Sequence, residues 1–137
     1  MNDYDAFLNH PHLARMATAN PKTCQPHVVP VWYAWDGECL WINSFRSTRK
    51  VQDLLKNPRI SVVVDSATQV EGKTAVILEG KAEIMDLPRP ELEAKIEWIY
   101  TRYLGPEGVK AADPQSWIKD PDTTLIRLKP VWVKSWK

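Results

Sequence analysis

The chain is predicted to be a mainly β protein, a closed or nearly closed antiparallel barrel with helices at its rim. About six or seven short apolar runs follow one another with turn signals between them. The regular helices that a parallel sheet needs between its strands are missing. Helical spacing recurs in only two long stretches, one after the third strand and one in the C-terminal third. With 137 residues, the chain is read as one domain spanning 1–137, long enough for a substantial core.

Tyr4–Leu8 reads as a short helix ending before His10-Pro11, and Leu13–Ala19 as a buried strand closed by the turn at Asn20-Pro21-Lys22. His27–Trp35 is the next strand and is apolar on both parities: Val28, Trp32 and Ala34 on one, Val29, Val31, Tyr33 and Trp35 on the other. Both faces are therefore expected to be covered, one by the core and one by a second subunit or a bound ring. Pro30 removes a ladder donor, which marks an edge, a bulge or a place where the sheet opens. Asp36-Gly37 is a two-residue hairpin signal into Glu38–Asn43.

A helix of roughly three turns follows, carried by Val51, Leu54 and Leu55 and closed by Asn57-Pro58, with Ser47 or Thr48 as its cap. Its first turn holds Arg49 and Lys50, with Arg46 just upstream. Helix starts favour acidic residues, because the dipole and the unpaired N–H groups are positive there. Either these cations are simply solvated, or an anion such as a phosphate binds among the hydroxyls, the helix N–H groups and the two or three cations.

Ile60, Val62 and Val64 alternate with Ser61 and Asp65 in a half-buried strand, and Gln69–Lys73 reads as a polar loop. Thr74–Met85 is a long strand with Val76, Leu78, Ala82 and Ile84 on one face, and Gly80 where a barrel strand bends. Pro90–Tyr103 is the clearest helix, with the stripe Leu92, Ile96, Ile99, Tyr100 and Tyr103 and a stop at Gly105. Trp98 points off that stripe, to lie under a loop or against a partner. Gly105–Asp122 reads as a loop with one helical turn at Pro114–Ile118, and Thr124–Lys129 and Val131–Trp136 as the last strands.

A formal net charge of +1, with Lys and Arg scattered among acids, makes no case for nucleic acid or a membrane surface as partner. Cys24 and Cys39 lack CxxC spacing, and His10, His12 and His27 lack a metal-ligand pattern. Cys39 reads as a small core residue. No apolar run approaches a membrane span, and the start MNDYDAFLNH is no signal peptide, so a reduced, soluble, cytoplasmic protein is expected. Seven tryptophans need large buried surfaces or a partner to cover them. No Ser-His-Asp or Cys-His arrangement supports nucleophilic catalysis.

The run PHVVPVWYAWDGECLWINSFRSTRKVQDLLKNPRISVVVD, followed by VILEGKAEIMD, resembles the flavin-binding split-barrel superfamily related to pyridoxamine 5′-phosphate oxidase. The resemblance covers nearly the whole chain. It rests on Pro30-Val31-Trp32, on SFRSTRKV leading into Leu54, on Asn57-Pro58-Arg59 and on Glu79-Gly80-Lys81-Ala82, in that order and spacing. It implies a split, Greek-key-like antiparallel β-barrel with a short helix after the third strand, assembled as a homodimer with a flavin at each of two interface sites. It implies a flavin-dependent oxidoreductase acting on a small substrate, in which hydride passes through the ring and the protein positions and tunes it. Carried over by position, Ser47, Thr48, Arg49 and Lys50 would hold the cofactor phosphate. Val31, Trp32 and Tyr33 would line the isoalloxazine, and Asn43, Ser44 and Phe45 would border the ribityl chain. FMN is the expected cofactor; the deazaflavin coenzyme F-420 is the alternative, since relatives that use it share the short chain, the Arg-Lys helix start and an end like RLKPVWVKSW. A non-catalytic protein holding flavin or haem is a further alternative. Tyr33, Trp35, His27 and a partner's Trp136 are candidates to line the substrate side. Pyridoxamine phosphate oxidases carry a longer C-terminal part with basic substrate-phosphate ligands, so vitamin B6 oxidation is not expected of a chain that stops at Lys137.

Overall fold

The computed structural model describes residues 1–137. Its strands are β1 (Ala14–Ala19), β2 (Pro26–Val31), β3 (Tyr33–Trp35), β4 (Leu40–Phe45), β5 (Arg59–Val70), β6 (Lys73–Met85), β7 (Thr123–Leu128) and β8 (Trp132–Trp136). The helices are α1 (Asp5–Leu8), α2 (Arg49–Lys56), α3 (Arg89–Gly108) and α4 (Ala112–Lys119). All ladders are antiparallel, in the order β2-β1-β5-β6-β7-β4-β3, with β8 added to β6.

The two ends of that order, β2 and β3, are consecutive in the chain and separated only by Trp32. The barrel is thus closed covalently at Trp32, and there it is split. The expected single strand His27–Trp35 is broken at this point, because Val31 must pair with Ala14 of β1 while Tyr33 pairs with Ile42 of β4. Backbone groups freed by the split still need partners, and α3 supplies them. The Tyr33 N–H donates to Tyr103 Oη at 3.1 Å, and the Tyr33 carbonyl accepts from Arg102 Nε at 3.0 Å. The Arg102 guanidinium also donates to the carbonyls of Leu8, Asn9 and His10.

Two cores result. One fills the barrel, with Met16, Tyr33, Leu40, Ile42, Val62, Val64, Leu78, Ile126 and Leu128 among its residues. The other lies outside β3, β4 and β7, where Ala34, Trp41 and Leu125 meet Leu92, Ile96, Ile99, Tyr100 and Ile118. The Leu92–Tyr100 stripe read from its spacing is therefore the face that α3 buries. Of the two parities of the split strand, Val29 and Val31 turn to the barrel core, while Val28 is 64% exposed in the single chain.

At Gly80 the outer edge of β6 changes partner, from β8 up to Glu79 to β7 from Ala82. The crossover between them passes close enough that a Cβ on Gly80 would stand 3.2 Å from the Lys129 carbonyl oxygen. A side chain there would require the crossover to shift by a few tenths of an ångström.

Several local expectations differ from the structure. Asp36-Gly37 does not make a two-residue turn: Trp35 pairs with Leu40, and the Asp36 carboxylate organises the connection by accepting the N–H groups of Glu38 and Cys39 and the Trp41 indole N–H. Gln69 and Val70 belong to β5, and the β5–β6 ribbon turns tightly at Glu71 and Gly72, both with positive φ. Helix α2 has two turns rather than three and follows the fourth strand, because the split divides one expected strand into two. Helix α4 replaces the expected single turn, burying Pro114 and Ile118.

Candidate functional site

The end of β4 and the start of α2 build one corner of the barrel. Thr48 occupies the N-cap position, yet its hydroxyl donates to the Phe45 carbonyl at 2.7 Å and leaves its oxygen to accept from Ser44 Oγ at 3.2 Å. Ser47 is tied to the loop before β7: its N–H and its hydroxyl both donate to Asp122 Oδ2, at 3.2 and 2.6 Å. The Arg46 N–H donates to the Asp122 carbonyl, and Gln52 donates to the Arg46 carbonyl. The loop into α2 is therefore pinned from two sides, and neither serine nor threonine caps the helix.

The cations of the first turn separate. Arg49 is half-exposed and lies 3.8 Å from Asp53 one turn on. Lys50 is half-buried, has no carboxylate within ion-pair distance, and desolvation alone pulls its ammonium below the ordinary lysine value. An ammonium withdrawn from water without a counter-charge is costly. It is also where an anion would gain most.

Lys50 borders a cleft of about 340 Å³ whose other walls come from β2, β4 and the split between β2 and β3. Val31 and Trp32 form one side, Asn43, Ser44 and Phe45 the other, and Leu13 and Pro30 the rim. The Trp32 ring is held by α3, stacked on Tyr103 at 4.8 Å and 6° and edge-on to Tyr100 at 5.6 Å. Asn43 donates through Nδ2 to Tyr100 Oη at 3.2 Å, while its carbonyl oxygen is buried without a hydrogen-bond partner. Buried Tyr100 is pushed to a higher pKa by desolvation, so its hydroxyl stays neutral. The cleft thus offers a cation, an unsatisfied acceptor, a hydroxyl and an indole face.

Six of the residues named from the sequence, Val31, Trp32, Asn43, Ser44, Phe45 and Lys50, line this cleft. Ser47, Thr48 and Arg49 stand at the adjoining helix start but do not line it. Tyr33 is elsewhere: it is fully buried in the barrel, and its hydroxyl donates to the Leu8 and His10 carbonyls. Its side chain fills the barrel interior and does not line the cleft. Trp35 is likewise in the barrel core, donating to Asp5, and His27 on β2 does not line the cleft. Leu13, Pro30 and Tyr100 were not legible as site residues. Tyr100 belongs to an apolar helical stripe, and nothing in the spacing connects it to Asn43.

No group of three or more His, Cys, Asp or Glu residues is placed to hold a metal. No helix is long and apolar enough to cross a membrane.

The family model described as pyridoxamine 5′-phosphate oxidase matches residues 2–137. A conserved hypothetical protein from Mycobacterium tuberculosis superposes with a TM-score of 0.79 at 25% identity, over 100% of this chain and 85% of that one. An F-420 reductase superposes with a TM-score of 0.75 at 25% identity, over 98% of both chains. The haem storage protein of Vibrio cholerae shares the fold at 15% identity, with a TM-score of 0.73 over 94% of this chain and 89% of that one. No curated protein matches the chain.

Proposed function

The chain belongs to the pyridoxamine 5′-phosphate oxidase family, and from that premise we propose that it is an oxidoreductase holding a flavin-type cofactor, FMN or the deazaflavin coenzyme F-420, in the cleft beside Lys50. The observation that carries this reading is the meeting, in one cleft, of a half-buried ammonium without a counter-charge, an unpartnered Asn43 carbonyl and the Trp32 ring.

Lys50 and the N–H groups at the start of α2 would take the phosphate, with Arg49 on the same turn able to swing from Asp53 towards it. Asn43, oriented by Tyr100, would accept from a hydroxyl of the polyol chain, which satisfies the orphaned oxygen. Val31 and Trp32 would wall the ring. When bound, a flavin or deazaflavin supplies hydride transfer to or from a small substrate, so this chain needs no nucleophile of its own. A second copy of the chain would complete the cleft, whose rim residue Leu13 is exposed, and would cover apolar surface such as Val28 and Trp136. The likeness to an F-420 reductase over nearly the full length of both chains supports the deazaflavin over FMN.

The test is an absorption spectrum from about 300 to 600 nm of the purified protein, and of protein supplied with FMN or F-420, followed by reduction with nicotinamide or reduced deazaflavin donors. A bound chromophore that is reduced and reoxidised in turnover is the expected result. Tight binding with no reduction by any donor would replace the enzyme with a carrier. No binding of either cofactor would overturn the reading.

A further inference from the structure

The segment between α1 and β1 is held to the barrel mainly through its backbone. The Arg102 guanidinium and the Tyr33 hydroxyl donate to the His10 carbonyl, and the Tyr103 hydroxyl donates to the His12 carbonyl at 2.7 Å. The segment's side-chain hydrogen bond runs from His10 Nε2 to Glu71, at the tip of the β5–β6 ribbon, over 3.2 Å.

His12 is held differently. Its ring is stacked on the fully buried Phe7 at 4.4 Å and 23°, and its Nε2 is buried without a hydrogen-bond partner. With its proton on Nδ1, the neutral ring places only a lone pair at that spot. An imidazolium would place a charged N–H there with nothing to receive it. Of the charged groups around the ring, His10 on the same segment and Arg102 on α3 oppose a positive charge, and Asp65 on β5 favours it. Asp65 is itself paired with Arg15 of β1, as Glu71 is with His10. Burial is the largest influence; it outweighs Asp65 and the Phe7 carbonyl and holds the imidazole below the ordinary histidine value of 6.5.

This ring shares its backbone with two parts of the functional site. The His12 carbonyl is the acceptor for Tyr103, which also receives the first N–H of β3 and stacks on Trp32. The next residue, Leu13, stands at the rim of the Lys50 cleft.

We propose that His12 is a proton-operated latch: neutral, it keeps the His10–Leu13 segment seated against α3; protonated, it leaves its place on Phe7 and loosens the Tyr103 tie and the Leu13 rim together. A released imidazole takes its proton near 6.5, more readily than a seated one. Seating therefore weakens as pH falls below 6.5, and the weakening stops once the seated ring is itself protonated.

The test is hydrogen exchange of the Tyr33 amide in the full-length, isotope-labelled protein, beside an NMR titration of the histidine rings. Both are made without added cofactor, so the latch stands or falls apart from the oxidoreductase reading. The His12 ring should titrate below 6.5. After correction for the intrinsic rate, opening at Tyr33 should grow roughly tenfold for each pH unit below that value, the slope of one proton taken up on opening. In His12→Phe and His12→Gln the opening should not change with pH, whereas His10→Gln should keep the wild-type dependence. Amide spectra report which variants are folded, and the wild-type ring titration and exchange profile decide the question even if both His12 variants are not. A His12 ring that titrates at or above 6.5, or wild-type opening indifferent to pH, would overturn the proposal. So would a dependence that persists in a folded His12 variant or vanishes in His10→Gln.

Discussion

Tyr103 Oη lies 3.1 Å from the Tyr33 nitrogen and 2.7 Å from the His12 carbonyl oxygen, accepting a hydrogen bond from the first and donating one to the second. One helix side chain thereby ties the start of β3 to the segment leading into β1, while its ring carries Trp32 in a parallel stack. Helix α3 is thus part of the barrel's closure as well as a cover for its outer face.

Tyr103→Phe keeps the stack and removes both hydrogen bonds, leaving a backbone N–H and a backbone carbonyl to find other partners. Such a loss costs about 1–3 kcal/mol. For a chain of this size that is roughly 3–10 °C in Tm, read by thermal denaturation. An unchanged Tm would show that water satisfies both groups and that Tyr103 acts through packing alone.

The same helix reaches the cleft through Tyr100, whose hydroxyl fixes the Asn43 amide. Tyr100→Phe should leave the barrel folded but free the amide to rotate. Affinity for the cofactor that binds, followed by fluorescence or calorimetry, is expected to fall by about three- to tenfold, the worth of one neutral hydrogen bond. Asn43→Leu should lose at least as much, and combining the two should add little, since both remove one interaction. Full additivity would separate the two residues.

The helix after β4, with its basic first turn, was legible because Val51 and Leu54 keep a 3.6-residue period and both are buried. The stripe of α3 was legible for the same reason. The position of the split was not: Pro30 marked an edge, a bulge or an opening nearby, but the break at Trp32 is imposed by which strand each half must pair with, a long-range constraint that local propensity does not carry. Gln69 and Val70 were read as loop because the alternation of apolar and polar residues stops after Asp65, where the β5–β6 register also shifts before Val70 pairs with Lys73. Tyr33 was carried over with Val31 and Trp32 by position in the family resemblance, which does not carry the packing that turns its ring into the barrel interior.

Arg49 and Lys50 look equivalent in sequence, but their surroundings predict unequal roles. Lys50→Ala removes the only cation lining the cleft and should weaken the retained cofactor by about ten- to a hundredfold, the range for a charge-assisted hydrogen bond. Arg49→Ala frees Asp53, already buried with an unpartnered oxygen, so its smaller loss of affinity should come with a loss of stability that Lys50→Ala does not show. Parallel titrations and melting curves of the two variants check this. Equal losses of affinity and stability in both would remove the distinction.

Asp36 shapes the β3–β4 connection, and its contribution should depend on pH in a defined direction. Partial burial works against its charged form, but the N–H groups of Cys39 and Glu38 and the Trp41 indole outweigh that, and the carboxyl is held below its ordinary value of 3.8. A carboxyl lowered in the folded state binds protons more readily when unfolded, so the stability it contributes is present above pH 3.8 and is lost as pH falls through the folded value. Asp36→Asn keeps an acceptor but loses the charge. The wild type should therefore melt above this variant at neutral pH, with the gap steady down to about pH 5 and closing below pH 4. Melting curves of the two proteins across that range check the sign, and a gap that widens on acidification would mean that the carboxyl is raised rather than lowered in the fold.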